Sequence, residues 1–398
     1  MSFGLQGIRV IETASVAAGP MAGRFLADWG ADVIHIDHLI RKTQLDQMRA
    51  GQQLLYFLQD RNRNKRAIML DLGKETGHEI ILKLLGKADI LLSNFRPYEL
   101  EKFKLDYETL SKLNPRLICA NITGYGTKGP YRNAPAYGPI AGDSRAGLLN
   151  SLMMPGSSPP QVAGQMADYI TALALVCGIT TALFTRERTG RGQTVDANLF
   201  QSMVFALSGD ISNALASGQE RMTVDRRDMA RPLMSPYKTK DGRWLHIMLG
   251  MGADMIWPRF CRAIEREDLI NDPRFSTSAQ ITKNNSDLFD ILDEVFASRT
   301  LDEWKPRLDD GNFPWSPLQS YIEVTKDPQA RANDFFLPIK SPKGESIEVV
   351  ANPIKLGQVP EIIRTPAPEF GQHTDEVLLE SGYSPEEIAR FREQDVVR

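Results

Sequence analysis

The sequence predicts an α/β protein: a large domain with a parallel sheet covered by helices on both faces, followed by a smaller α+β domain. Three observations carry that prediction. Short β-branched runs alternate with stretches of helical period through the first half of the chain, at the spacing of βαβ units. Near residue 217 the texture changes to a charged stretch with no period. The 398 residues suffice for two domains with sizeable cores.

The elements follow in order. "IRVIE" is a strand. "GPMAGRFLADWG" has helical spacing of Met21, Phe25, Leu26 and Trp29, with Gly30 as a stop. "ADVIHID", "RAIMLDL", "ADILLSNF" and "RLICANITG" repeat the strand signal, and "ETGHEIILKLLGK" is helical. Residues 167–188 form a long helix, and "GQTVDANLFQSMVFALSG" gives a strand and then a helix. The large domain's N-terminal part is thus expected at 1–216 and a linker at 217–227. The small domain is expected at 228–325. It opens on a hairpin, "YKTKDGRWLHIML", with Asp241-Gly242 at the turn, and continues with the helices "MIWPRFCRAI", "SDLFDILDEVFA" and "LDEWKPRL". Short strands, a proline-rich crossing and a helical pair fill 326–398.

Composition excludes several classes. A formal charge of −3 with no block of like sign gives no polyanion-binding surface. The N-terminus enters a strand at once, with no basic segment or cleavage site, so no signal peptide is expected. No apolar stretch reaches about 18 residues without polar interruption, so no membrane span and a cytoplasmic location are expected. Cys119, Cys177 and Cys261 lie far apart in apolar contexts and read as core thiols rather than a disulfide set or metal site.

"GYGTKG" at 124–129 matches G-x-G-x-x-G and follows a strand. The next stretch, "PYRNAPAYGP", has three prolines and no apolar period, so no helix N-terminus is there to hold a pyrophosphate. The segment reads as a glycine loop leaving a strand on the side where ligands bind in such sheets. No Walker motif, G-x-S-x-G or zinc spacing is present. Arg61, Arg63, Lys65 and Arg66 precede one strand and Arg96 ends another. Singly they read as surface charges; together they suit an anionic, nucleotide-like ligand. Asp168 heads the apolar run "DYITALALVCG", with no other acid or base in the following fifteen residues. Locally it reads as a helix N-cap.

Taken together, "GIRVIE", "AGPMAGRFLADWGADVIHID", "NRNKRAIMLDL", "ADILLSNFRP", "LNPRLICANITGYGTKGPY", "DYITALALVCGITTALFTRERTGRGQTVDANL", "DPRF" and "GQHTDEVLLESGY" resemble the family III CoA-transferases over nearly the full length. The resemblance implies a Rossmann-like large domain built from both chain ends, so that residues 326–398 return to it. It also implies an interlocked dimer, of identical chains or with a related subunit. No metal or redox cofactor is implied; coenzyme A is a co-substrate. Asp168 falls on the family's covalent nucleophile, which would pass through an aspartyl anhydride and an aspartyl-CoA thioester. CoA contacts carry over to Val16, Ala17, Ala18, His38, Lys65, Asn94, Arg96 and Lys128, and Tyr137 falls beside the thioester. At His38 some members carry an arginine. Backbone N–H groups near Asp168 are needed to stabilise oxyanions, and the glycine loop is one candidate source.

The chain departs from the family elsewhere. "VDRRDMARPLMSPY" lacks the glycine-rich loop of oxalate-using members, so a formyl/oxalyl pair is not expected. Gly138 and Gly142 stand where members often have an aspartate and a glutamine, and are expected to enlarge the site. Arg145 either holds a substrate's second carboxylate or pairs with Asp143. By texture, the acids suggested are succinyl-CoA as donor and an aryl-substituted acceptor such as benzylsuccinate. Two alternatives stand beside CoA transfer: a 2-methylacyl-CoA racemase of the same superfamily, and one subunit of a heteromeric transferase. The racemases pair the aspartate with a histidine where this chain has Tyr137, and tyrosine, ordinarily with a pKa of about 10, is a poor base.

Overall fold

The computed structural model describes residues 3–38, 58–162, 164–220, 224–229, 231–250, 253–340, 344, 346–359 and 362–398. One compact unit comprises residues 1–150, 160–221 and 329–398; a second comprises 151–159 and 222–328.

The first unit is built on β1 (Arg9–Glu12), β2 (Asp32–Asp37), β3 (Arg66–Met69), β4 (Ile90–Ser93), β5 (Ile118–Thr123) and β6 (Thr194–Asn198). They form one sheet in the order β3-β2-β1-β4-β5-β6, and every pairing is parallel. The order reverses between β1 and β4, the place where ligands bind beyond the strand ends of such sheets. Side chains alternate between faces along each strand. Val10, Val33, Ile90 and Leu92 pack with α1 (Ala18–Asp28) and α4 (Met166–Thr189). Ile11, Ile34, Leu91 and Cys119 pack with α2 (Glu75–Leu85) and α3 (Tyr107–Leu113). That second face is closed from the far end of the chain: Val377 and Leu378 lie on the helix Thr374–Glu380, Ile388 and Phe391 on Pro385–Glu393. Val397 adds a β-bridge to Leu70.

Two expectations need correction. Helix α4 is long and apolar enough to cross a membrane by length and composition, because its threonines and alanines interrupt the apolar run without making it polar. One side of it, including Ala167, Thr171, Ala172, Leu175 and Ile179, is buried in the unit's core. Cys177 lies on its exposed side, whereas Cys119 and Cys261 are buried.

The second unit has a three-stranded antiparallel sheet, β7 (Pro236–Lys238), β8 (Trp244–Ile247) and β9 (Trp315–Pro317). Its core includes Tyr237, Leu245, Trp257, Phe260, Phe289, Phe296 and Trp304. At the hairpin turn Gly242 alone takes the positive φ, 79°. Asp241 instead accepts hydrogen bonds from Thr239 Oγ1 at 2.5 Å and from the Leu301 N–H at 3.3 Å.

A chain of charges is sealed at the end of β1. Glu12 accepts from Lys65 Nζ at 2.8 Å and meets His35 Nδ1 at 2.7 Å, and His35 Nε2 lies 3.4 Å from Asp37. Burial opposes the charged imidazole, but Asp37 and Glu12 outweigh it and hold His35 at about 9, above its ordinary 6.5. The folded form therefore keeps its proton longer than the unfolded chain. The resulting stability is fully present below about pH 6.5 and is lost as pH rises through 9. The stability advantage of the wild type over His35→Gln, measured by urea unfolding, is expected to shrink steadily between pH 6 and about pH 9.5. A difference independent of pH would contradict the network.

Candidate active site

The first turn of α4 meets the N-terminus of α1, and Asp168 stands at the junction. It is the third residue of α4, whose N-cap is Gln165, so it is not the cap that its local sequence suggests. The backbone N–H groups of Ala18 and of Asp168 itself act on its carboxylate in the sense that favours the ionised form. Ala18 is the first residue of α1, where backbone N–H groups have no partner within the helix. Two helix N-termini thus converge on one carboxylate, each supplying partial positive charge.

Burial nevertheless dominates, and it raises the Asp168 carboxyl above the ordinary range. Arg61 and the two N–H groups pull it down, and Asp143 pushes it up. Arg61 is buried beside it and donates to the Val16 carbonyl and to Gln165 Oε1. Its guanidinium is lowered by burial to about 10, with Tyr169, Asp60 and Asp168 opposing the fall. The Val16 backbone that it grips has φ 74°, a conformation strained for a β-branched residue. The β1–α1 loop is held a second time by Asn94. Its Nδ2 donates to the Ser15 carbonyl at 2.7 Å and its Oδ1 accepts from the Ser15 N–H at 3.1 Å.

The other wall is a π-helix, Gly138–Ser144. A Cβ on Gly138 would lie 2.3 Å from Asp168 Oδ2, and one on Gly142 would lie 2.3 Å from the Ala167 Cβ. The two glycines therefore do not enlarge the site. They let the π-helix approach α4 closely, and the Asp168 carboxylate fills the space at Gly138. Tyr137, the N-cap of this helix, is 60% exposed.

Arg145 caps the π-helix at its other end. It does not pair with Asp143: no carboxylate of the described residues lies within ion-pair distance of it. Its guanidinium rests 4.1 Å from the Tyr131 ring centre, with Tyr125 at 5.3 Å and Phe200 at 5.5 Å. Rings on several sides hold the cation through their quadrupoles and leave its N–H groups for an anion.

The structure gathers Val16, Ala17, Ala18, Tyr137 and Asp168 around this point. Asn94 and Arg96 follow β4 at the order reversal; Arg96 caps the short helix Pro97–Lys102 and pairs with Glu99 at 2.9 Å. His38 directly follows β2, and Lys128 is exposed in the glycine loop. Lys65 is not placed to bind a ligand. Its ammonium is fully buried and donates to both Glu12 oxygens, the Pro20 carbonyl and Asn62 Oδ1, all within 3.0 Å. The N–H that reaches Asp168 comes from Ala18 rather than from the glycine loop. Sequence reasoning placed Arg61 only in a basic run suited to an anionic ligand, not beside Asp168, and assigned no role to Gln165. Position of Arg61 in the basic run was the one available signal, and Gln165 carries none.

The family model described as CoA-transferase family III matches residues 5–374. The chain is 33% identical over 401 residues to an (R)-2-hydroxy-4-methylpentanoate CoA-transferase of Clostridioides difficile, covering 99% of each. It is 33% identical over 403 residues to a cinnamoyl-CoA:phenyllactate CoA-transferase of Clostridium sporogenes, covering 98% of this chain and 97% of that one. The solved structure of a CAIB/BAIF family protein from Brucella suis superposes with a TM-score of 0.82 at 28% identity, over 96% of this chain and 100% of that one.

Proposed function

The chain belongs to the family III CoA-transferases, and from that premise we propose that it moves CoA between carboxylic acids through covalent intermediates on Asp168. The observation that carries the reading is the Asp168 carboxylate, held between two helix N-termini and raised by burial. A carboxylate oxygen of Asp168 attacks the donor's thioester carbon, the C–S bond breaks, and CoA leaves as a thiolate from a mixed anhydride. The thiolate attacks the aspartyl carbonyl of the anhydride, and the donor acid departs as a carboxylate. The acceptor carboxylate then attacks the aspartyl-CoA thioester and expels the thiolate. The thiolate returns to the acceptor's acyl carbon and Asp168 is regenerated. Each tetrahedral step at the aspartyl carbon puts negative charge on its second oxygen, and the Ala18 N–H and the residue's own N–H, which favour negative charge on this side chain, are the groups that would stabilise it.

The acceptors named in the relatives, 2-hydroxy-4-methylpentanoate and phenyllactate, lead the list of acids for this chain, with succinyl-CoA among the donors. The working unit is a dimer, of identical chains or with a related subunit. Exposed apolar side chains such as Phe184, Phe205 and Leu215 are consistent with a partner. A matrix of acyl-CoA donors and free acids, read by mass spectrometry, tests the reading: exchange of CoA between acids supports it, and its absence across the matrix defeats it.

Within that matrix Arg145 sets a preference. Its open guanidinium fits the distal carboxylate of a dicarboxylate substrate. Arg145→Ala is expected to reduce kcat/KM for succinyl-CoA about tenfold more than for butyryl-CoA, a modest factor because the side chain is exposed. Equal losses on both donors would leave Arg145 with only its stacking role.

A further inference from the structure

The π-helix that seats Gly138 against the nucleophile carries a second acid with no part in the steps above. Asp143 is 2% exposed, and its Oδ1 is buried with no hydrogen-bond partner. A buried, unsatisfied carboxyl oxygen costs stability. Burial raises its carboxyl, and among the described residues no cation pairs with it: Gly142 beside it adjoins Ala167 and Met203, and Arg145 lies against aromatic rings. Asp143 follows Gly142 on the π-helix that lies against the first turn of α4, where Gly138 adjoins Asp168 Oδ2 and Gly142 adjoins the Ala167 Cβ. Arg61 favours the ionised form of Asp168 and Asp143 opposes it. Arg61 is itself faced by Asp60 and Tyr169.

We propose that Asp143 is a positioning residue for the nucleophile, its buried charge working against Arg61 to keep Asp168 reactive. This rests on the reading of Asp168 as the nucleophile. Burial raises Asp168, while two helix N-termini and a guanidinium pull it back towards a stabilised, less nucleophilic carboxylate. A like charge restores its basicity. Acylation removes the charge on Asp168, so the repulsion ends as the anhydride or the aspartyl thioester forms. Asp143 therefore favours both covalent intermediates over the free enzyme.

The test is the pH profile of kcat/KM for the acyl-CoA donor at a fixed saturating acceptor, in wild type, Asp143→Asn and Asp143→Glu. The acid limb of Asp143→Asn is expected about half a unit to one unit lower in pH, with a plateau about tenfold lower. Asp143→Glu keeps the charge and should return the limb towards wild type. A limb that stays in place or moves up in Asp143→Asn overturns the proposal, whatever happens to the plateau, since packing damage lowers the rate equally at every pH. Asp143→Ser gives the same readout if the Asn variant fails to fold. Asp168→Asn is run alongside. If it transfers CoA, the nucleophile reading falls; if it is inactive and the Asp143→Asn limb is unmoved, only the role of Asp143 falls.

Discussion

Asp168→Asn is expected to reduce CoA transfer by about four orders of magnitude or more while leaving the fold intact. The amide keeps the shape of the carboxylate and still presents an oxygen to the Ala18 N–H. It cannot form an anhydride, so both covalent intermediates vanish together. Stability should hold or rise. Burial lifts the Asp168 carboxyl above its ordinary range, so the folded state binds its proton more tightly than the unfolded chain does. At neutral pH the ionised side chain is thus a net burden on the fold, and a neutral replacement relieves it. Thermal unfolding and steady-state kinetics on the same preparation check both halves. Transfer within tenfold of wild type would end the covalent account.

Gly138→Ala is expected to cost about a hundredfold in kcat with little loss of stability. The new methyl would lie 2.3 Å from Asp168 Oδ2 and 3.1 Å from its Cγ, but 3.5 Å from the Ala167 Cβ. The backbone therefore fits and the carboxylate has to move. Side-chain rotation is a cheap escape for the fold and an expensive one for catalysis, because the displaced oxygen leaves the N–H groups that orient it. Gly142→Ala is the control. There the clash is with the Ala167 Cβ at 2.3 Å, which has no rotation to offer, so the loss should appear in melting temperature. A Gly138→Ala enzyme with unchanged kcat would show that Asp168 works in another position.

What the sequence made legible follows its local content. The strands of the large sheet were readable because each is a short, β-branched run flanked by helical period, and the observed pairings are parallel throughout. The first unit's middle segment ends at residue 221, whereas residues 151–159, read from the sequence as part of the large domain, group with the second unit. Asp168 was singled out by its isolation, but its importance came from the resemblance, since an acid in a first helical turn has an ordinary local explanation. The failures are tertiary. Lys65 looked available because its partner Glu12 lies fifty-three residues away in sequence. Gly138 looked like empty space because nothing local shows that a carboxylate thirty residues later would occupy it. Arg145 had an acid two residues before it and took three rings instead, supplied by Tyr125, Tyr131 and Phe200. Arg61 was one cation in a basic run, and only the fold turns it towards Gln165 and Val16.

A covalent bond between Asp168 and the acyl or CoA moiety is open to direct trapping. Wild-type enzyme is incubated with an acyl-CoA and hydroxylamine, digested, and the peptide containing residue 168 examined by mass spectrometry. Hydroxylamine converts an activated aspartyl carbonyl to a hydroxamate and leaves a free carboxylate untouched. A hydroxamate is expected at Asp168 that requires the acyl-CoA and appears as activity is lost. An unmodified Asp168 in enzyme that is turning over, or a hydroxamate at another residue, would contradict it.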